Sequence, residues 1–456
     1  MYANQRLLIL TAVLCLFAGC APAPNNSNTA TVQPSPSPSA SPSPSPTPSE
    51  TAKVQVTLPL LDALMSDEKF VSQLKSNLKL TDDQVTAIKK ASSAEIDRLR
   101  ETNAEDTDGN STDARTRASE QLHQIIGEEK TKELSALVSD YWSKGDTTGT
   151  EGKSQATMLP GPNAVPTDTR VVVNIPAFRM DLFQNGSLVK SYKVGIGYPE
   201  FPLPQGLRKA TQIIFNPSWT PPDSPWVAKM KNATPGEKIL PGDKNNPLGP
   251  IKIPIGLPSL IHGGKSPSKI GKFASHGCVG LTTEQMKDFT VLLGRASNTS
   301  DISEESLANY LKDKEDTKTV KLNQVVPVEL RYETIVLEDG KLHIYKDVYA
   351  QDTNTEENLR EVLSAHGVKF EDLSEQQRTD VLNALNAMST RPTASPSPSA
   401  SPEKKTAKAK PPKSQNEIVI DLGNVAVAQK GYPAPVDLDT GNGKKPAADK
   451  RGKNAD

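Results

Sequence analysis

Cysteine is scarce: Cys15, Cys20 and Cys278 are the only three in 456 residues, too few for a disulfide framework. Aromatic residues make up 5% of the chain, which argues against stacking platforms for single-stranded nucleic acid. Neither sign of charge is in excess. Lys and Arg number 53 against 54 Asp and Glu, a formal net charge of −1, so no chain-wide field recruits nucleic acid through counterion release. Hydrophobic residues reach only 35%, little for the three domains of about 150 residues that the length would otherwise allow. Proline, by contrast, is plentiful, with 38 residues, roughly 8% against an average near 5%. It concentrates in 34–49 and 392–412. Such Pro/Ser tracts are expected to stay disordered linkers, because they hold too little apolar area to offset chain entropy.

Arg6 and the apolar run 7–18 form a segment shorter than the ~20 residues of a membrane-spanning helix. It reads as a secretory signal over 1–19. Its end, Phe17-Ala18-Gly19-Cys20, resembles a bacterial lipobox, with Phe17 where Leu is more usual. That resemblance implies acylation of Cys20 and a lipid anchor holding an exported protein to the periplasmic side of the cell envelope, with 20–50 as a Pro/Ser-rich tether of up to ~3.1 Å per residue. With Cys15 removed and Cys20 acylated, Cys278 is left as an unpaired thiol. A lone cysteine is by default a small, buried hydrophobe, so any other role has to come from its neighbours.

Between Leu58 and Trp142, residues such as Leu74, Leu78, Val85 and Ile88 recur at three- and four-residue spacing and predict an α-helical module over 51–145. Thr81-Asp82-Asp83-Gln84 has the form of a capping box. A second helix is expected from Arg117 to Trp142, with His123 as an ordinary helix residue. After a linker over 146–168 the period changes to two. The runs 170–184 and 187–197 flank Asn185-Gly186, and 333–337 and 341–345 flank Asp339-Gly340, both strong hairpin signals. Residues 169–347 therefore read as a mainly β domain with one helix near Thr283 to Leu293. A helical extension over 348–390 follows, with His366 before Gly367 at a helix end. Beyond it come a Pro/Ser/Lys linker over 391–415 and a solvated basic tail over 416–456 with one strand-like run, Glu417 to Leu422. His343, on a strand, reads as structural.

The chemistry concentrates in 261-IHGGKSPSKIGKFASHGCVGLTTEQ-285, where His262, His276 and Cys278 lie within 17 residues. A thiol that attacks a carbonyl needs a base and needs donors for the oxyanion that forms. His276 and Cys278, two apart on an extended segment, would project to one face, whereas His262 approaches from a neighbouring strand. His262 is therefore assigned as base and His276 as a supporting residue. The amides of Gly277 and Cys278 are assigned as oxyanion donors, Gly277 letting the backbone turn. A zinc site built from the two histidines and the cysteine fits the spacing of familiar zinc motifs poorly, so neither a metal nor another cofactor is expected.

These residues resemble the signature of the L,D-transpeptidase catalytic domain (YkuD-type): His-Gly, then Ser/Thr-His-Gly-Cys, an apolar residue, and Arg or Asn. The likeness extends to VVVNIPAFRMDLFQNG, YKVGIG, FNPSWTPP and NPLGPIKIPIG, so it covers about 169–331. It implies a β-sandwich or barrel-like domain with a short helix. It also implies a cysteine acyltransferase acting on peptidoglycan stem peptides, with D-alanine leaving and the acyl group passing to an amine, either of another stem (a 3-3 cross-link) or of an envelope lipoprotein. Water as acceptor would give a carboxypeptidase, and lost chemistry a peptidoglycan-binding tether. By the same resemblance Cys278 is nucleophile, His262 base and acid, the Gly263 carbonyl orients the imidazole, and Ser275, His276 and Trp219 shape the substrate site. Two departures stand out: Gly280 in place of Arg or Asn, and Leu203-Pro204-Gln205-Gly206 in place of Thr-Pro-Thr-Gly. Lys265 or Lys272 is a candidate to supply the missing cation.

Overall fold

The computed structural model describes residues 56–102, 111–144, 156–222, 227, 230, 232–256, 258–389, 416–423 and 431–442. The expected signal segment over 1–19, Cys20, the expected tether over 20–50, the expected linker over 391–415 and the terminal basic residues from Lys444 to Lys453 lie outside them.

The helical module has four helices: α1 (Leu58–Met65), α2 (Glu68–Asn77), α3 (Asp82–Thr102) and α4 (Ser111–Lys144). Local signals place the boundaries. Pro59 sits in the first turn of α1, and the Asp67 carboxylate caps α2 by accepting from the Lys69 amide. Before α3, the Gln84 amide donates to Thr81 Oγ1 at 3.2 Å while the Thr81 amide donates to Gln84 Oε1 at 3.1 Å, the reciprocal pair that the sequence predicted. The second long helix starts earlier than expected and is broken at Gly127, whose φ is 79°. Leu61, Leu64, Phe70, Leu74, Ile88 and Leu122 form this module's core.

The β domain is built on β1 (Arg170–Asn174), β2 (Arg179–Gln184), β3 (Ser187–Lys193), β4 (Ile196–Gly197), β5 (Gly206–Phe215), β6 (Ile251–Pro254), β7 (Leu260–His262), β8 (Phe273–Ser275), β9 (Val279–Gly280) and β10 (Lys318–Arg331). Eight of these make one sheet in the order β3-β2-β1-β10-β5-β6-β7-β9, and β4 pairs with β8 in a small parallel ladder. In the large sheet β1/β10 and β7/β9 are parallel and the other pairs antiparallel. The run 170–184 is two strands rather than one: Pro176 and a positive φ at Phe178 turn the chain back between β1 and β2. Asn185-Gly186 then makes the predicted two-residue turn, both residues with positive φ. Helix α5 (Thr283–Ala296), closed by a Thr282/Gln285 capping box, buries Met286, Phe289 and Leu293 in this domain's core. The short α6 (Glu304–Tyr310) follows it. The mainly β fold preceded by a helical module is thus present.

The Asp339-Gly340 hairpin forms, but apart from the large sheet. Its strands β11 (Ile335–Glu338) and β12 (Lys341–Tyr345) pair with β13 (Glu417–Asp421) in a separate three-stranded sheet. Helices α7 (Glu356–Ala365) and α8 (Glu375–Met388) pack on it. The reason is apolar complementarity: Ile335, Leu337, Leu342 and Ile344 share one core with Leu359, Leu363, Val381 and Leu385. The expected solvated tail is also partly docked. The Ser191 and Lys193 amides donate to the Val436 and Asp439 carbonyls, both at 2.9 Å, so this segment covers the free edge of β3.

Candidate active site

β7 and β9 lie side by side, with Ile261 opposite Val279 and His262 opposite Gly280. Strand alternation does the sorting. Ile261 and Val279 point into the core, whereas Leu260, His262 and Cys278 open onto a cavity of about 900 Å3. Lys265, Ser275, His276 and Trp219 line the same cavity. The Nδ1 atom of His262 lies 2.8 Å from the Gly263 carbonyl oxygen. As donor there, Nδ1 leaves Nε2 as the ring nitrogen that can take a proton. No hydrogen bond among the described residues joins the sulfur to an imidazole; the Leu260 amide points at it instead.

The loop carrying the sulfur is a turn rather than the extended segment expected. Gly277 has φ +90°, a conformation that side chains other than glycine rarely adopt. The turn is closed by Ser275, whose Oγ accepts from the Cys278 amide at 3.0 Å and donates to the Cys278 carbonyl at 2.5 Å. Two expectations change. The Cys278 N–H is engaged by Ser275 and is not free to meet an oxyanion. His276 and Cys278 both line the cavity, but across this turn and not along an extended segment; the His276 ring packs 4.8 Å from Phe201 and 5.1 Å from Tyr198.

Burial dominates the electrostatics. It pushes His262 down to about 3, reinforced by the Lys265 ammonium and opposed by the carbonyls of Gly263 and Leu248. Burial also holds His276 well below the usual histidine range, with Lys265 and Lys269 acting in the same direction. The Cys278 thiol is pushed up by burial, against the Leu260 amide, Lys265 and Lys252. At neutral pH the resting site therefore holds neutral imidazoles and a protonated thiol.

Lys265 lies on Gly280. A Cβ built at Gly280 would stand 2.9 Å from Lys265 Cγ and 2.9 Å from Cε, so any larger residue there displaces the lysine. Of the two candidate cations, Lys265 lines the cavity and Lys272 is exposed.

The helical module supplies the opposite wall, which sequence reasoning missed because no local pattern announces it. Pro59, Leu60, Asp62 and Ala63 from α1, with Lys89 and Ile96 from α3, face the same cavity. Thr57 Oγ1 donates to the Glu200 carbonyl at 3.0 Å, and Ser111 Oγ to the Pro199 carbonyl at 2.8 Å. Arg117 bridges Glu95 of α3 at 2.9 Å and Glu200 at 3.1 Å. The loop so gripped, 198–201, is the one whose Tyr198 and Phe201 enclose His276. Tyr349, beyond the span of the family resemblance, secures its flanks: its hydroxyl donates to the Gly197 carbonyl at 2.7 Å and accepts from the Leu203 amide at 3.1 Å.

Residues 168–297 match the family model of the L,D-transpeptidase catalytic domain, YkuD. A curated relative, the probable L,D-transpeptidase YbiS of Escherichia coli K12, is 29% identical over 119 residues, 26% of this chain and 39% of the relative. This chain thus spans about two fifths of the length of the curated relatives it matches. Among solved structures, the catalytic domain of an E. faecium L,D-transpeptidase aligns at 17% identity over 37% of this chain and 100% of that one, with a TM-score of 0.24. An L,D-transpeptidase from Mycobacterium smegmatis aligns at 14% identity over 36% of this chain and 58% of that one, with a TM-score of 0.22.

Proposed function

Because residues 168–297 match the family model of the L,D-transpeptidase catalytic domain, YkuD, we propose that the chain is a peptidoglycan L,D-transpeptidase with Cys278 as nucleophile. The sulfur attacks the carbonyl between the diamino acid and D-alanine of a tetrapeptide stem. His262 takes the thiol proton and delivers it to the departing D-alanine nitrogen as the C–N bond breaks. The thioester then passes its acyl group to an amine, forming an amide and restoring the thiol. A stem amine gives a 3-3 cross-link, a lipoprotein lysine gives attachment, and water gives hydrolysis.

The observation that carries this reading is the shared cavity. His262 is only 3% exposed, yet it and the sulfur open onto one space from adjacent strands, and a backbone carbonyl fixes the imidazole tautomer. Since Ser275 holds the Cys278 amide, the Gly277 amide is the remaining oxyanion donor of the expected pair. In the same reading the protein is exported and anchored through Cys20 on the periplasmic side of the envelope.

Intact-mass analysis after incubation with a carbapenem tests the nucleophile. Wild type gains one covalent adduct and Cys278→Ala gains none; a wild type that stays unmodified overturns the assignment. Digestion of sacculi treated with the protein identifies the acceptor through new 3-3 linkages, a modified lysine, or tripeptide stems with free D-alanine. Binding to sacculi with none of these products would leave a tether.

A further inference from the structure

The lysine that rests on Gly280 has no partner of opposite charge among the described residues. Among the described residues, Lys265 enters no salt bridge and no side-chain hydrogen bond. Its backbone is pinned by its amide donating to the Leu281 carbonyl at 3.0 Å, and its stem crosses Gly280, two residues after the cysteine on the cavity side of β9. Lys252, the register partner of His262 on β6, is likewise unpaired among the described residues. A half-buried ammonium in a cavity wall gains most from an anion placed there.

We propose that when Cys278 ionises in the free enzyme, the charge on its sulfur is held by the ammonium of Lys265, with Lys252 behind it, and not by an imidazolium at His262. The inference rests on Cys278 being the reactive thiol, but its test needs no turnover.

The charged surroundings support this division. Around the sulfur stand His262 on β7, Lys265 just after it, Lys252 on β6 and His276 on the cysteine's own turn. Lys269 lies beyond, reaching Tyr198 Oη at 3.4 Å, and the facing helices present Asp62 on α1 with Lys89 and Asp97 on α3. Burial and the neighbouring lysine both oppose a proton on His262, whereas Lys265 and Cys278 each favour the charged form of the other. Two lysines beside an imidazole make it a poor resident cation and a good transient proton carrier. His262 then keeps its part in turnover, while Lys265 sets how much thiolate exists before substrate arrives. It also explains why a glycine suits position 280: a side chain there would push Lys265 off the wall.

The measurement is the rate of alkylation by iodoacetamide against pH, in which the thiolate forms the S–C bond and iodide leaves. Lys265→Met and the shorter, polar Lys265→Gln are expected to move the inflection up by about one pH unit and to slow alkylation at pH 7 by about tenfold. Lys265→Arg should stay near wild type. His262→Gln should leave the inflection in place while abolishing carbapenem acylation. Superimposable profiles for wild type and both neutral variants would overturn the proposal. So would an Arg variant displaced as far as the neutral ones, or an inflection governed by His262.

Discussion

At the level of single side chains, the site combines groups that burial keeps neutral. His262 in the fold is held down to about 3, by burial first and Lys265 next, against about 6.5 in an unfolded chain. Between those values the unfolded state binds the extra proton, so stability is complete above about pH 6.5 and falls as pH drops toward 3. Melting temperatures across that window should decline in wild type, and His262→Gln should flatten the decline; equal slopes would remove the histidine from the account. Ser275 makes a separate prediction. Its hydroxyl closes the turn onto both the amide and the carbonyl of Cys278. Ser275→Ala should therefore cost about 1–3 kcal/mol in urea unfolding and slow carbapenem acylation by about tenfold or more, because the sulfur loses its fixed place. The histidines and the cysteine were legible from residue type and spacing. The engagement of the Cys278 amide was not, because it follows from the Gly277 turn.

Between elements, the informative joint is the one linking α3 and α4 to the loop before β5. Arg117 reaches Glu95 and Glu200, whose side chains are only 8% and 5% exposed. Removing the arginine leaves two buried carboxylates near each other without it, and such losses typically cost ~3–5 kcal/mol. Arg98 also pairs with Glu95, so Arg117→Ala should fall toward the lower end of that range, read as a lower urea midpoint. Because the gripped loop packs on His276, the same variant should also slow carbapenem acylation; an unchanged acylation rate would make the wall passive. The Thr81 cap and the Asn185-Gly186 and Asp339-Gly340 turns could be read in advance, since each is decided by a few neighbouring residues. The partner of the second hairpin could not. β12 finds β13 more than 70 residues later, and apolar alternation marks a face without naming what covers it.

Across the molecule, three apolar cores hold the helical module, the large sheet and the C-terminal sheet with its helices. The chain after 415 ties two of them together: β13 completes the small sheet, and Tyr432 reaches Asp181 of β2 at 3.0 Å. A chain ending at 390 should expose the edges of β12 and β3 and bare Leu342 and Ile344. It is expected to self-associate in size-exclusion chromatography and unfold at lower urea, whereas wild-type behaviour would make the terminal segment dispensable. Reading along the chain was enough for the switch from helical to strand periodicity, the turn chemistry and the thiol with its two histidines. All of these are properties of residue type over short windows, where sterics and local hydrogen bonding decide. Chain folding alone settled that Lys265 lies on Gly280, that α1 and α3 wall the cavity shared by His262 and Cys278, and that the tail returns to β3. Those contacts join segments far apart in sequence, and only the summed burial of distant apolar faces brings them together.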